Sequence, residues 1–148
     1  MDESPKMNRP FPDPQGRVSR VHYRVCYEDT DAGGVVYYAN YLRYMERGRN
    51  GFLSDQGMSV RRFQDRGILF PVVEVNLRYF SPAFLEDDLV VETWVVKPGR
   101  SSVLFGQKVV RKGEPDALVE GMVRVACVDK TMKPRRLPEE IRKSRITD

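Results

Sequence analysis

The stretch Tyr27-Glu28-Asp29-Thr30-Asp31-Ala32-Gly33-Gly34 sets three carboxylates directly ahead of two glycines, and Asp31 is its candidate for chemistry. A carboxylate beside unpaired backbone N–H groups can attack a carbonyl or deprotonate a water while those groups hold the developing oxyanion. A helix start supplies such N–H groups together with the positive end of the helix dipole. Residues Val35, Val36, Tyr37 and Tyr38 lead from the glycines into a helical pattern, so the acid falls close to that end. Gly33 and Gly34 let the backbone turn sharply and let a ligand approach it. The same residue types also make ordinary turns and caps, and composition alone favours that blander account. Asp29 and Asn40 suit caps or turns better than catalysis, and Glu28 is expected to face solvent.

Other residues that could do chemistry have weaker patterns. Tyr37, Tyr41 and Tyr44 recur at helical spacing and read as core, whereas Tyr38 lies off that stripe and faces the site. Glu46, Arg47 and Arg49 read as a solvated helix face or a salt bridge. Glu74, alone among apolar strand residues, is a second and lesser acid candidate. The one histidine, His22, reads as a packed strand residue and excludes a multi-histidine metal site. Cys26 and Cys127 have no CxxC spacing and are expected to be buried, reduced thiols. The chain has no phosphate-binding P-loop, dinucleotide fingerprint or Gly-x-Ser-x-Gly elbow.

The elements that must position Asp31 follow from hydropathy. Val21, Tyr23, Val25 and Tyr27 alternate with polar residues, the period-2 mark of a strand. From about Tyr37 to Gln56 the apolar stripe Tyr37, Tyr41, Tyr44, Met45, Gly48, Phe52, Leu53 predicts one long helix ending near Gly57. Gly48 and Gly51 inside it point to close contact with a sheet, where a side chain would not fit. Met58 to Asp65 predicts a short helix or an irregular connection. Strands follow over 73–79, 89–97, 103–111 and 118–128, read as a hairpin succession with turns at Pro98-Gly99-Arg100 and Lys112-Gly113-Glu114-Pro115-Asp116. The economical solution is an α+β domain, an antiparallel sheet of about five strands curled around one long helix.

At 148 residues the chain is one domain long and can bury its own core. Residues 1–17, with Pro5, Pro10, Pro12 and Pro14, predict a disordered extension; 18–138 predict the folded domain, and 139–148 a basic tail. No apolar run approaches the ~20 residues that span a bilayer, and the polar start does not resemble a signal peptide, so the expectation is a cytoplasmic protein without membrane insertion. The net charge of +4, crowded towards the C-terminus, suits an anionic partner. Nucleic acid is disfavoured, because that basic region carries no interleaved aromatics.

The stretch from Tyr27 through Asn40-Tyr41-Leu42-Arg43-Tyr44-Met45-Glu46 to Arg47 resembles the signature of the hot-dog-fold acyl-CoA thioesterases. Within them it is most similar to the Tol-Pal-associated branch of the 4-hydroxybenzoyl-CoA thioesterase family. The resemblance extends from about Val18 to Pro138 and includes Phe80-Ser81-Pro82-Ala83, Arg100-Ser101-Ser102 and Val128-Asp129. It implies a hot-dog fold, thioester hydrolysis with Asp31 as nucleophile or general base, and polarisation of the carbonyl by the backbone N–H of Tyr38. It implies further that Gly33, Gly34 and Val36 line the thioester, and that Lys97, Arg100, Ser101, Lys130 and Lys133 lie in the regions that bind CoA phosphates. Homo-oligomers, commonly tetramers made as dimers of dimers, are implied as well, with acyl carrier protein as a further partner and no metal or redox cofactor. One departure stands out: this chain has Tyr38 where the Tol-Pal-associated branch usually has histidine. A non-catalytic acyl-CoA or acyl-carrier-protein binding module on the same fold is the alternative, and a hot-dog dehydratase is disfavoured by the missing histidine.

Overall fold

A computed structural model describes residues 11–145. Five strands form one antiparallel sheet: β1 (Ser19–Arg24), β2 (Val72–Tyr79), β3 (Asp88–Pro98), β4 (Ser102–Arg111) and β5 (Ala117–Ala126), in the order β1-β3-β4-β5-β2. The long helix α1 (Asn40–Ser54) lies across it. Short helices α2 (Val60–Asp65) and α3 (Glu139–Arg142) close one end. This is the sheet around one long helix that the apolar stripe and the strand runs predict, and the hot-dog arrangement that the resemblance implies.

α1 meets the sheet through the face the periodicity marks: Tyr41, Tyr44, Met45, Gly48, Phe52 and Leu53 are all buried. The interior falls into two clusters. One joins Phe52, Leu53, Phe105, Val123 and Ile141. The other joins Tyr41, Tyr44, Met45, Val91 and Val119 around the start of α1. Gly48 explains how the helix comes so near: a Cβ there would lie 2.7 Å from both Thr93 Oγ1 and Val91 Cγ1. Gly51 likewise leaves room for Val21.

Several expectations need correcting. The hairpin succession holds from β3 to β5 only, because β2 pairs with β5 and not with β3. β2 is an edge strand exposed along both faces, with Val72, Val73 and Val75 open to solvent. Glu74 on it pairs with Arg124 at 3.6 Å. α1 begins at Asn40 rather than Tyr37, since residues 37–39 form a turn, and Tyr37 is exposed instead of joining the stripe. β1 ends at Arg24, and a short 3₁₀ turn, Tyr27–Asp29, follows with Tyr27 and Cys26 exposed. Only Cys127 is the buried thiol expected. His22 lies exposed on β1 at the sheet edge.

The termini are more firmly held than their composition suggests. Residues 11–17 form neither helix nor strand, yet Phe11 is buried and Asp13 reaches Lys108 at 3.2 Å. The basic segment folds back, with Leu137, Ile141 and Ser144 buried, as far as Arg145. Residues 1–10 of the expected extension and 146–148 of the expected tail lie outside the described residues. No helix among the described residues is long and apolar enough to cross a membrane.

Candidate active site

The loop between β1 and α1 is closed by main-chain hydrogen bonds. Asp31 N–H donates to Val35 O at 2.9 Å and Gly34 N–H to Asp31 O at 3.0 Å; Thr30 and Val36 form an isolated antiparallel bridge. Gly34 makes the turn at φ +78°, a conformation side chains resist. The Asp31 carboxylate stays on the surface, one oxygen accepting Gly33 N–H at 2.8 Å. Its other oxygen has no protein partner among the described residues, and the residue is exposed.

Asp29 anchors this loop from inside. It is 8% exposed, and its carboxylate accepts Tyr23 O–H and Cys26 N–H, both at 2.7 Å. Burial and this neighbouring carboxylate push the Tyr23 hydroxyl up to about 12, so it stays a donor. Burial pushes Tyr44 further in the same direction. The Asp29 carbonyl then accepts two donors from the helix side, Tyr37 N–H at 2.9 Å and Asn40 Nδ2 at 2.8 Å. Asn40 thus ties the acid loop to the first turn of α1, a defined task for a residue that reads from sequence as a cap or turn.

These ties decide which N–H groups remain for an oxyanion. Val36 N–H donates to Ala83 O and Tyr37 N–H to Asp29 O, both at 2.9 Å, so neither is available. Val36 is itself buried, and its side chain lines the groove beside Tyr38. Of the N–H groups from Val36 to Tyr38 expected at the helix start, only that of Tyr38 has no acceptor among the described residues, and the same holds for Ala39 after it. Tyr38 is held through its carbonyl by Tyr79 O–H at 2.9 Å, while its ring is 62% exposed. Beside it an open groove of about 300 Å³ runs between Tyr38, Tyr41, Tyr79, Phe80 and Pro82. Tyr41 O–H accepts Ala83 N–H at 3.1 Å and fixes the floor of this groove.

Lys97, Arg100 and Ser101 at the β3–β4 turn, and Lys130 and Lys133 after β5, lie on segments that adjoin elsewhere. The Ser101 carbonyl accepts Cys127 N–H and the Arg100 carbonyl accepts Leu137 N–H, which joins the β3–β4 turn to the segment after β5. That is the far end of the sheet: the loop after β1 abuts the start of β3, and the basic turn follows its end. An 11-residue strand is about 33 Å long at ~3.3 Å per residue. Within one chain, then, acid loop and basic turn do not share a ligand.

Asn40→Asp tests the tie directly. It removes a donor and sets a carboxylate against the Asp29 carbonyl, and displacing the first turn of α1 should slow turnover about tenfold to a hundredfold. The rate relative to wild type should recover as pH falls towards the ordinary carboxyl range of about 4, where a protonated side chain donates again. A ratio that does not change with pH would deny Asn40 this part.

Residues 25–144 match the thioesterase-like superfamily. The chain belongs to that family. The acyl-CoA thioester hydrolase YbgC of Escherichia coli is 40% identical over 119 residues, 80% of this chain and 88% of the relative. The acyl-CoA thioesterase YbgC of Haemophilus influenzae is 39% identical over 121 residues, with the same coverage of 80% and 88%. Among solved structures, the DHNA-CoA thioesterase of Staphylococcus aureus superposes with a TM-score of 0.77 at 30% identity, covering 81% of this chain and 80% of its own. Slr0204, a 1,4-dihydroxy-2-naphthoyl-CoA thioesterase from Synechocystis, gives 0.80 at 20% identity over 86% and 95%, and speaks for the fold alone. In this thioesterase-family chain the sequence singles out Asp31 and Tyr38, which lie on one loop. What it misses is the part of Asn40, whose only signal is its place shortly after the glycines.

Proposed function

We propose that this protein is an acyl-CoA thioesterase in which Asp31 acts on the thioester and the Tyr38 N–H holds the carbonyl oxygen. The observation that carries the reading is the free Tyr38 N–H at the mouth of an apolar groove, on the same closed loop as an exposed carboxylate. Two balanced routes fit. Asp31 attacks the carbonyl carbon, the C–S bond breaks, CoA leaves as thiolate, and water hydrolyses the resulting anhydride. Alternatively Asp31 takes a proton from water, hydroxide attacks, and the departing thiolate collects that proton. In both, negative charge gathers on the oxygen facing the Tyr38 N–H, where a fixed donor stabilises it most.

A homo-oligomer completes the site in this proposal. β2 is an unpaired edge with three exposed valines, and antiparallel pairing of two such edges exchanges their ends. Tyr79 lies at the acid-loop end and Val72 at the other, so the exchange carries one protomer's basic turn towards its partner's acid loop. Lys97, Arg100, Ser101, Lys130 and Lys133 then meet the phosphates of CoA bound across the interface. Pairs of such dimers make the tetramer. Light scattering that returns a monomer at assay concentration would remove this part.

The test of the activity is thiol release from short, long and aromatic acyl-CoAs and from an acylated acyl carrier protein. Turnover of at least one thioester is expected, and the best substrate names the acyl class. If a folded protein binds acyl-CoA and hydrolyses none, the binding-module alternative takes its place.

A further inference from the structure

Tyr23 is where α1 takes hold of the acid loop. Its ring meets two residues one turn apart on that helix: Tyr44, with ring centroids 4.6 Å apart, and Arg47, whose guanidinium carbon lies 4.7 Å from the ring centre. Its hydroxyl donates to Asp29 Oδ2 at 2.7 Å, the oxygen that also accepts Cys26 N–H. Arg47 closes no salt bridge among the described residues, so its partner is this ring and not a surface carboxylate. The guanidinium also reaches the hydroxyl end of the ring, where it opposes the rise that burial and Asp29 impose on the Tyr23 pKa.

A polar recess of about 80 Å³ lies among these groups, with Glu28, Asp29, Arg43 and Arg47 in its walls. That is well below the ~300 Å³ at which small-molecule sites begin, so the walls serve the loop and not a ligand. Two cations of α1 there face two carboxylates of the loop, an attraction that draws the loop onto the helix. Asp29 passes the hold on. Its carbonyl accepts Tyr37 N–H and Asn40 Nδ2, and Tyr37 immediately precedes the free Tyr38 N–H. Asp31 follows two residues after Asp29, with its own N–H bonded to Val35 O.

We propose that Arg47 is a positioning residue for Asp31 and the Tyr38 N–H, acting through the Tyr23 hydroxyl and Asp29. Arginine suits the place, because its planar cation stacks on an aromatic ring and keeps its charge at any working pH. A fixed ring gives Asp29 one geometry, and Asp29 gives the loop one, so acid and donor keep a constant separation. Without the cation, Tyr23 retains Tyr44 but loses its second contact with α1, and the loop is free to sample more than one position. The fold does not depend on this contact: Arg47 is exposed and outside both core clusters.

Amide hydrogen exchange of the full-length protein, followed by NMR, tests this without any substrate. In Arg47→Met the amides of Cys26, Asp31 and Tyr37 should exchange about tenfold faster than in wild type, with interior amides of β3 and β4 unchanged. Tyr23→Phe keeps the ring and removes the hydroxyl through which Arg47 acts. Arg47→Met added to Tyr23→Phe should therefore change loop exchange by less than about twofold, the non-additivity expected of groups in one chain of contacts. Turnover is the second measurement and rests on the thioesterase reading: kcat should fall about fivefold to tenfold with KM within about twofold of wild type. Unchanged loop exchange in Arg47→Met, faster exchange spread equally over the sheet, or additive effects in the double variant would overturn the proposal. Faster loop exchange in a protein that hydrolyses no thioester would remove the thioesterase reading and leave the hold of Arg47 on the loop standing.

Discussion

Asp31→Asn should cut thioester hydrolysis by about 10³-fold or more while leaving KM close to the wild-type value. The magnitude follows from what is lost: asparagine neither attacks a thioester carbonyl nor takes a proton from water at neutral pH. The direction of KM follows from what remains. The substituted carboxamide still offers an oxygen to Gly33 N–H, and the other bonds of the loop belong to the main chain, so groove and Tyr38 N–H should keep their places. Steady-state rates with the best acyl-CoA, alongside circular dichroism to confirm folding, decide it. Full activity in a folded Asp31→Asn variant would end the proposed mechanism whichever route is preferred.

The largest loss of stability should come from Gly48→Val. A Cβ at this position would meet Thr93 Oγ1 and Val91 Cγ1 at 2.7 Å and Gln107 Nε2 at 2.9 Å. Neither polar neighbour is free to move, because Gln107 Nε2 donates to both Thr93 Oγ1 and Met45 O. The helix must therefore rise from the sheet, breaking the Gln107 network and loosening Met45 and Phe52. Overpacking costs about 1–3 kcal/mol in general, and valine's two further methyl groups put this site at the upper end or beyond. For a chain of this length ~3 kcal/mol corresponds to roughly 6–12 °C in Tm. Gly48→Ala carries the same first clash but recovers ~1 kcal/mol of helix propensity, so it should fall in between. Thermal unfolding measures all three proteins, and an unchanged Tm in Gly48→Val would contradict the close approach of α1 to β3 and β4.

Gly48 also shows why much of the fold can be read from the chain. A glycine in the buried stripe of an otherwise regular helix has few explanations, and contact with a sheet is the simplest; the same holds for Gly51 against Val21. Strand order is less accessible. Alternation in Val73, Val75, Leu77 and Tyr79 reports two unlike faces and says nothing of which strand lies alongside, so β2 reads as the first member of a hairpin. Tyr37 keeps the helical spacing but lies in the turn before α1, where periodicity no longer determines burial. At the site, Asp31 and Tyr38 are legible through their motif. The engagement of Val36 N–H by Ala83 is not, since it joins distant parts of the chain through backbone atoms that carry no sequence signal. Arg49 reads as a solvated charge, yet its guanidinium donates to Gln107 Oε1; the sign to the contrary is Gln107, the one amide side chain in a strand that is mostly apolar.

The loop that carries Asp31 takes its shape from main-chain bonds and from Asp29 beneath it, and hardly at all from the side chains it displays. Val35, Tyr37 and Tyr38 can therefore vary without disturbing the loop itself. Tyr38 contributes its carbonyl to Tyr79 and leaves its N–H free, while its side chain meets Tyr37 and Tyr79 at the rim. A change from histidine to tyrosine at this position thus alters what a ligand meets and not the backbone geometry beneath it. The side chain at this rim position can therefore be exchanged for another while the hydrogen-bonded loop beneath it keeps its shape.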